Sequence, residues 1–168
     1  MAAGFTWNPR EDHASDGLKQ DTEVTVPGLK ILIVEDQILI AKQVEVIALA
    51  AGHRVVGIAG TLAEACRLAM ASEPDVALVD LSLNDGVTGT AVGKFVKEAC
   101  KTEVVYMTAN MRRLPPDLEG ALGVVEKPFT RGDLVSALGF IDAVVRNGQV
   151  PDKVPRSIRL APSRKEVS

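Results

Sequence analysis

The stretch Lys30-Ile31-Leu32-Ile33-Val34-Glu35-Asp36 decides the fold: four aliphatic residues without a polar interruption, three of them β-branched, broken off by two carboxylates. Such a run shows no alternation of apolar and polar side chains, which predicts a strand covered on both faces. Four more runs follow, at Val55–Ala59, Val76–Val79, Val104–Met107 and Val124–Val125. Their starts fall 24, 21, 28 and 20 residues apart, which leaves room for one crossover helix in each gap.

The gaps carry helical signals. Ile40, Val44, Ile47 and Ala51 form an apolar stripe, and Gly52 follows as a stop. Thr61-x-x-Glu64 reads as a capping box. Val92, Phe95, Val96 and Ala99 make a third stripe; Leu134, Leu138, Ile141 and Val145 make the last, after a Thr130 cap. The remaining gap, Asn110–Gly120, holds Pro115 and Pro116 and predicts a short or irregular segment. Five βα units imply an α/β domain with a doubly wound, five-stranded parallel sheet.

Open sheets of this kind bind ligands at the carboxyl ends of their strands. There the sequence sets Glu35 and Asp36 after the first run, Asp80 after the third, Thr108 after the fourth and Lys127-Pro128 after the fifth. Three carboxylates on one rim repel one another in a partly dry cleft. A hard divalent cation such as Mg²⁺, taking carboxylate and carbonyl oxygens, would relieve that repulsion. One strand-end acid alone is as often a solvated loop residue; five polar groups all at strand ends are not so easily dismissed.

The set Val34-Glu35-Asp36, Leu78-Val79-Asp80, Met107-Thr108-Ala109 and Glu126-Lys127-Pro128-Phe129 resembles the receiver domain of bacterial two-component response regulators, over essentially all of 30–147. The resemblance implies a flavodoxin-like strand order 2-1-3-4-5. It implies that Asp80 is the phosphoacceptor, loaded by a histidine kinase or a histidine phosphotransfer protein in a phosphorelay. By the same resemblance Asp36 and Asp80 bind Mg²⁺ or another divalent cation through their carboxylates, Ser82 through its backbone carbonyl, and Glu35 directly or through water. Lys127 would pair with one phosphoryl oxygen and Thr108 would hydrogen-bond another, with the Lys127-Pro128 bond cis. Ala109 leaves room for entry.

The chain departs from the family in three places. Val124 stands three residues before Lys127, where receivers usually carry an aromatic that swings inward with the threonine. Tyr106 is expected as a buried strand residue, with partial replacement of that aromatic as the rival reading. The loop from Leu81 to Gly89 has Asn84 where proline is common and runs one residue longer; Asp85 there is expected to be solvated. The proline-bearing Asn110–Gly120 segment alters a surface that receivers commonly use for dimerisation or docking. These features resemble an atypical subset of single-domain receivers.

Composition sets the remaining bounds. The chain has 168 residues, 46% hydrophobic and 24% charged, with a net charge of −3, so wholesale nucleic-acid binding is not indicated. No apolar run is long enough to span a membrane, no secretory signal is evident, and a cytoplasmic setting is expected. Cys66 and Cys100 lack metal-site spacing and read as small boundary hydrophobes; His13 and His53 have no ligand partners nearby. Residues 1–29, with Phe5 and Trp7, and residues 148–168, with Lys153, Arg156, Arg159, Arg164 and Lys165, are expected as an acidic and a basic mobile tail around the domain at 30–147.

The expectation is a stand-alone phosphorylation switch, not an enzyme acting on an external metabolite. No DNA-binding output domain is expected, so output would pass through protein contacts with a downstream protein or a homodimer. Two rivals stand beside it. A metal-dependent phosphohydrolase would need a second acid two residues after Asp80, where Ser82 stands. A degenerate receiver would act as a phosphate-independent interaction module.

Overall fold

The computed structural model describes residues 27–83 and 89–164, and in it all five apolar runs are strands. They are β1 (Lys30–Val34), β2 (Arg54–Ala59), β3 (Val76–Asp80), β4 (Glu103–Thr108) and β5 (Gly123–Glu126), parallel and ordered β2-β1-β3-β4-β5. Helices α1 (Ile38–Ala50), α2 (Leu62–Ser72) and α3 (Gly89–Cys100) make the first three crossovers, and α4 (Arg131–Asn147) follows β5. The readings made for Phe5, Trp7, His13, loop residues 84–88 and residues 165–168 lie outside the described residues.

The strands are apolar on both faces because both faces are covered. Ile31, Ile33, Leu78, Val105 and Met107 pack against α1 and α4. Their neighbours Leu32, Val34, Val79, Val104 and Tyr106 pack against α2 and α3 on the other side. That is the period-two alternation of a strand buried twice over.

The caps are local and legible, with one shift. Thr130 Oγ1 accepts the Asp133 N–H at 3.1 Å while Asp133 Oδ2 accepts the Thr130 N–H at 2.9 Å, a complete capping box on α4. At α2, Thr61 Oγ1 accepts the Glu64 N–H, but the Glu64 carboxylate reaches back to the Gly60 N–H, one residue earlier than the box requires. Gly52 and Gly148 follow α1 and α4 with φ of +86° and +66°, the left-handed region that glycine enters freely.

The fourth crossover is not an α-helix. Two 3-10 turns, Met111–Arg113 and Leu118–Gly120, replace it on either side of Pro115 and Pro116. Leu118 and Glu119 both adopt positive φ there, +53° and +48°, and Leu118 is buried in the α2–α3 side of the core.

Both expected tail boundaries need correction. Leu29 is buried, and its N–H donates to His53 Nδ1 at 3.3 Å. Residues 148–164 lie against the domain instead of beyond it. Arg159–Leu160 forms a sixth strand, β6, antiparallel to β5 with Gly123 opposite Leu160 and Val124 opposite Arg159. Ile158 and Leu160 enter the α1–α4 core, Ala161 enters the other, and Arg164 Nη2 reaches both carboxylate oxygens of Glu103 at 2.7 and 3.0 Å. The prolines interrupt helix and sheet, but burial needs only an alternating pair of aliphatics, which Ile158 and Leu160 supply.

Candidate functional site

The sheet order brings the predicted polar residues to one rim. β3 lies between β1 and β4, so Asp80, the last residue of β3, sits beside Glu35-Asp36 on one side and Thr108 on the other. Lys127 arrives from β5, held by its N–H donating to the Thr108 carbonyl at 2.8 Å and by a cis peptide bond to Pro128. Carboxylate oxygens of Glu35, Asp36 and Asp80 all lie within 4.8 Å of one another.

Lys127 is the hinge of this cluster's electrostatics. Its Nζ lies 2.5 Å from Glu35 Oε2 and 3.1 Å from Asp80 Oδ2. Glu35 is buried, and burial pushes its carboxyl pKa above the ordinary range, opposed by the hydrogen bond and charge of Lys127. The Gln37 N–H also donates to Glu35 Oε1. Asp80 Oδ1 accepts the Ser82 N–H at 3.3 Å, which leaves Oδ2 facing the ammonium. Thr108 Oγ1 accepts the Asn110 N–H at 2.9 Å, so the hydroxyl hydrogen remains available to an incoming acceptor.

Asp36 supplies the test of whether a cation fits. Its Oδ1 is buried and has no hydrogen-bond partner. An orphaned carboxylate oxygen costs free energy unless something meets it. Beside two further carboxylates, a hard cation answers that need with the oxygen donors it prefers. The donor set fits a Mg²⁺ site of the receiver kind.

A cavity of about 530 Å³ opens over Asp80 and Lys127. Asp80, Ser82, Thr108 and Lys127 line its polar side, and Ala109, Ile40 and Phe129 line its apolar side. Gln37 and Gln43, neither of them among the sequence-predicted site residues, also line it. Gln37 carried a signal, since it follows the strand-end acids directly. Gln43 carried none until the direction of α1 was known. The Glu35–Lys127 contact was also missed, because its partners are 92 residues apart in the chain.

Val124 and the aromatic weighed as its partial replacement meet in one place. Tyr106 and Val124 face each other across the β4–β5 ladder, and both point to the α2–α3 side. Tyr106 is buried against α3, so close to Gly93 that a methyl group there would overlap the phenol oxygen. Burial, with Glu119 and Asp117 adding to it, drives the phenol pKa far up. The ring is thus the buried strand residue expected. Cys66 and Cys100 are free and half-buried, also as expected.

The response regulator receiver domain family matches residues 31–139. The chain belongs to that family. The phyllosphere-induced regulator PhyR of Methylorubrum extorquens is 33% identical over 102 residues, which cover 60% of this chain and 38% of that protein. The transcriptional regulatory protein PdtaR of Mycobacterium tuberculosis is 29% identical over 126 residues, 73% of this chain and 60% of its own length. The chain therefore spans less than two thirds of these relatives. Among solved structures, the receiver domain of Erythrobacter litoralis PhyR superposes with a TM-score of 0.62 at 26% identity, covering 76% of this chain and 97% of that one.

Receiver domains are phosphoacceptors rather than enzymes turning over a metabolite, and the acidic pocket of this one is intact. Receivers work in two-component signalling and interact with histidine kinases. No helix among the described residues is long and apolar enough to cross a membrane.

Proposed function

We propose that Asp80 accepts a phosphoryl group from a phosphohistidine on a histidine kinase or histidine phosphotransfer protein, and that the phosphorylated domain signals through protein contacts. The buried, unpartnered Asp36 Oδ1 beside Glu35 and Asp80 carries this reading, because a structural ion-pair cluster would leave no such oxygen open. Phosphoryl transfer asks for little covalent help and mostly for in-line positioning and neutral charge. Asp80 Oδ2 attacks phosphorus as the donor's P–N bond breaks.

Each neighbour then has one task. Lys127 keeps its hold on Glu35 while its Nζ turns from Asp80 Oδ2 to a phosphoryl oxygen. The Thr108 hydroxyl donates to another. Glu35, Asp36 and Asp80, with the Ser82 backbone carbonyl, would hold Mg²⁺, which when bound neutralises charge on the transferring group. Hydrolysis of the acyl phosphate resets the domain.

The test is intact mass after incubation with a small-molecule phosphodonor, with and without Mg²⁺, beside Asp80→Asn. A Mg²⁺-dependent gain of one phosphoryl group that is absent in Asp80→Asn is the expected result. If neither the donor nor purified histidine kinases label the wild type, the phosphate-independent interaction module replaces this reading. The observation favouring that second reading is the pair of 3-10 turns, together with Val124, on a surface that phosphorylation commonly reshapes.

A further inference from the structure

In a five-stranded receiver sheet β5 would present an open edge, and here the chain fills that edge with its own strand. The seating is specific. Gly123 lies opposite Leu160, and a Cβ at Gly123 would fall 2.5 Å from the Arg159 carbonyl oxygen, so β6 can approach this closely only over a glycine. The Ala161 N–H donates to the Leu122 carbonyl at 3.0 Å, Ile158 and Leu160 bury their side chains, and Arg164 grips Glu103 with two contacts. This edge is shaped for an extended antiparallel strand with aliphatics two residues apart and a cation four residues further on.

The same seating is thin. The strand is two residues long, and a cavity of about 240 Å³ lies along the seam, lined by Arg156, Ser157 and Arg159 together with Val124, Pro128 and Phe129. Ser157 Oγ is buried without a hydrogen-bond partner, so the seam leaves a polar group unsatisfied. Pro128 and Phe129 also form a wall of the cavity over Asp80. A shift of that wall on one side is felt on the other, because packed walls transmit strain.

We propose that residues 150–164 are a resident segment, seated on the β5 edge through β6 and displaceable by an extended segment of a partner protein. That segment adds antiparallel to β5, with aliphatic side chains at the Ile158 and Leu160 positions and an arginine or lysine on Glu103. Loading of the acidic pocket loosens the resident strand through Pro128 and Phe129. The loosening step rests on the phosphoacceptor reading; the edge itself does not.

Two measurements separate them. The first titrates a fluorescein-labelled peptide copying residues 154–164 into the full-length wild type, Arg164→Ala and Leu160→Asp. Both variants are expected to bind it at least tenfold tighter than wild type, and a scrambled peptide is expected not to bind. Arg164→Ala keeps every apolar anchor, so it decides the matter if Leu160→Asp loses its native circular dichroism. A folded Arg164→Ala that binds no better than wild type overturns the edge proposal. The second follows hydrogen exchange of residues 156–164 in wild type with Mg²⁺ and a small-molecule phosphodonor, with intact mass read on the same sample. Added phosphoryl mass with faster exchange supports the coupling, and added mass with unchanged exchange overturns it. No added mass from the donor, nor from purified histidine kinases used in its place, overturns the phosphoacceptor reading and the coupling together, and the peptide titration then decides the edge alone.

Discussion

Gly93→Ala measures how tightly the Tyr106 ring is clamped. Gly93 is buried in α3, and a methyl group there would overlap the Tyr106 hydroxyl oxygen and lie 2.9 and 3.0 Å from Cζ and Cε1. Taken alone, alanine in place of a mid-helix glycine stabilises by about 1 kcal/mol. Against that stands the overlap with a ring only 1% exposed, which has no solvent to swing into. Overpacking of a filled core costs about 1–3 kcal/mol, and contact with three ring atoms argues for the upper end. The net expectation is a loss of about 2 kcal/mol, read in urea as a midpoint lower by about 1 M with an unchanged slope. Tyr106→Phe in the same background removes the nearest of the three atoms and should recover part of the loss, as a double-mutant cycle would show. A Gly93→Ala protein as stable as wild type would refute the reasoning. It would mean that the ring has room to move, and an aromatic swing from β4 would come back into consideration.

Other substitutions probe the site and its supports. Lys127→Met leaves buried Glu35 facing Asp80 without a cation and should cost about 3 kcal/mol in metal-free protein; Glu35→Gln added to it should recover most of that in thermal melts. Thr130→Ala removes the hydroxyl half of the α4 capping box, leaving the residue-130 N–H on the Asp133 carboxylate, and should lower stability by about 1 kcal/mol in urea unfolding. His53 accepts the Leu29 N–H through Nδ1, and burial holds its pKa below the ordinary 6.5. Below that pH the unfolded chain binds a proton that the folded one refuses, so stability present above 6.5 is lost as pH falls through it. The His53→Gln protein should show a shallower fall than wild type between pH 6.5 and 5, and identical slopes would dismiss the effect.

The parallel sheet was legible because its strands are short aliphatic runs, and any run buried on both faces must look that way. The site was legible for a related reason: a carboxylate directly after such a run has nowhere to go but the rim. Where Lys127 would rest was not legible, since Glu35 and Asp80 are both within reach of the rim and the choice depends on side-chain geometry across the sheet. The resident strand was hidden in composition. Ile158 and Leu160 are a two-residue alternation among prolines and arginines, indistinguishable from a solvated tail. The missing side chain that lets them dock belongs to Gly123, in a different part of the chain. Leu29 was hidden for the same reason, being a single aliphatic at the end of a stretch without periodicity.

The turn at Leu118–Glu119 has a kinetic meaning. Two successive non-glycine residues held in left-handed backbone conformations each carry about 1–3 kcal/mol of strain. A hydrogen-bonded helix would lock that corner with a cooperative ladder, whereas 3-10 turns close it with isolated bonds such as the Ala121 N–H to the Leu118 carbonyl. Opening there releases strain and breaks little, so the corner exchanges its amide hydrogens well before the strands do. The domain carries its own weak point beside the strand that leads to Lys127.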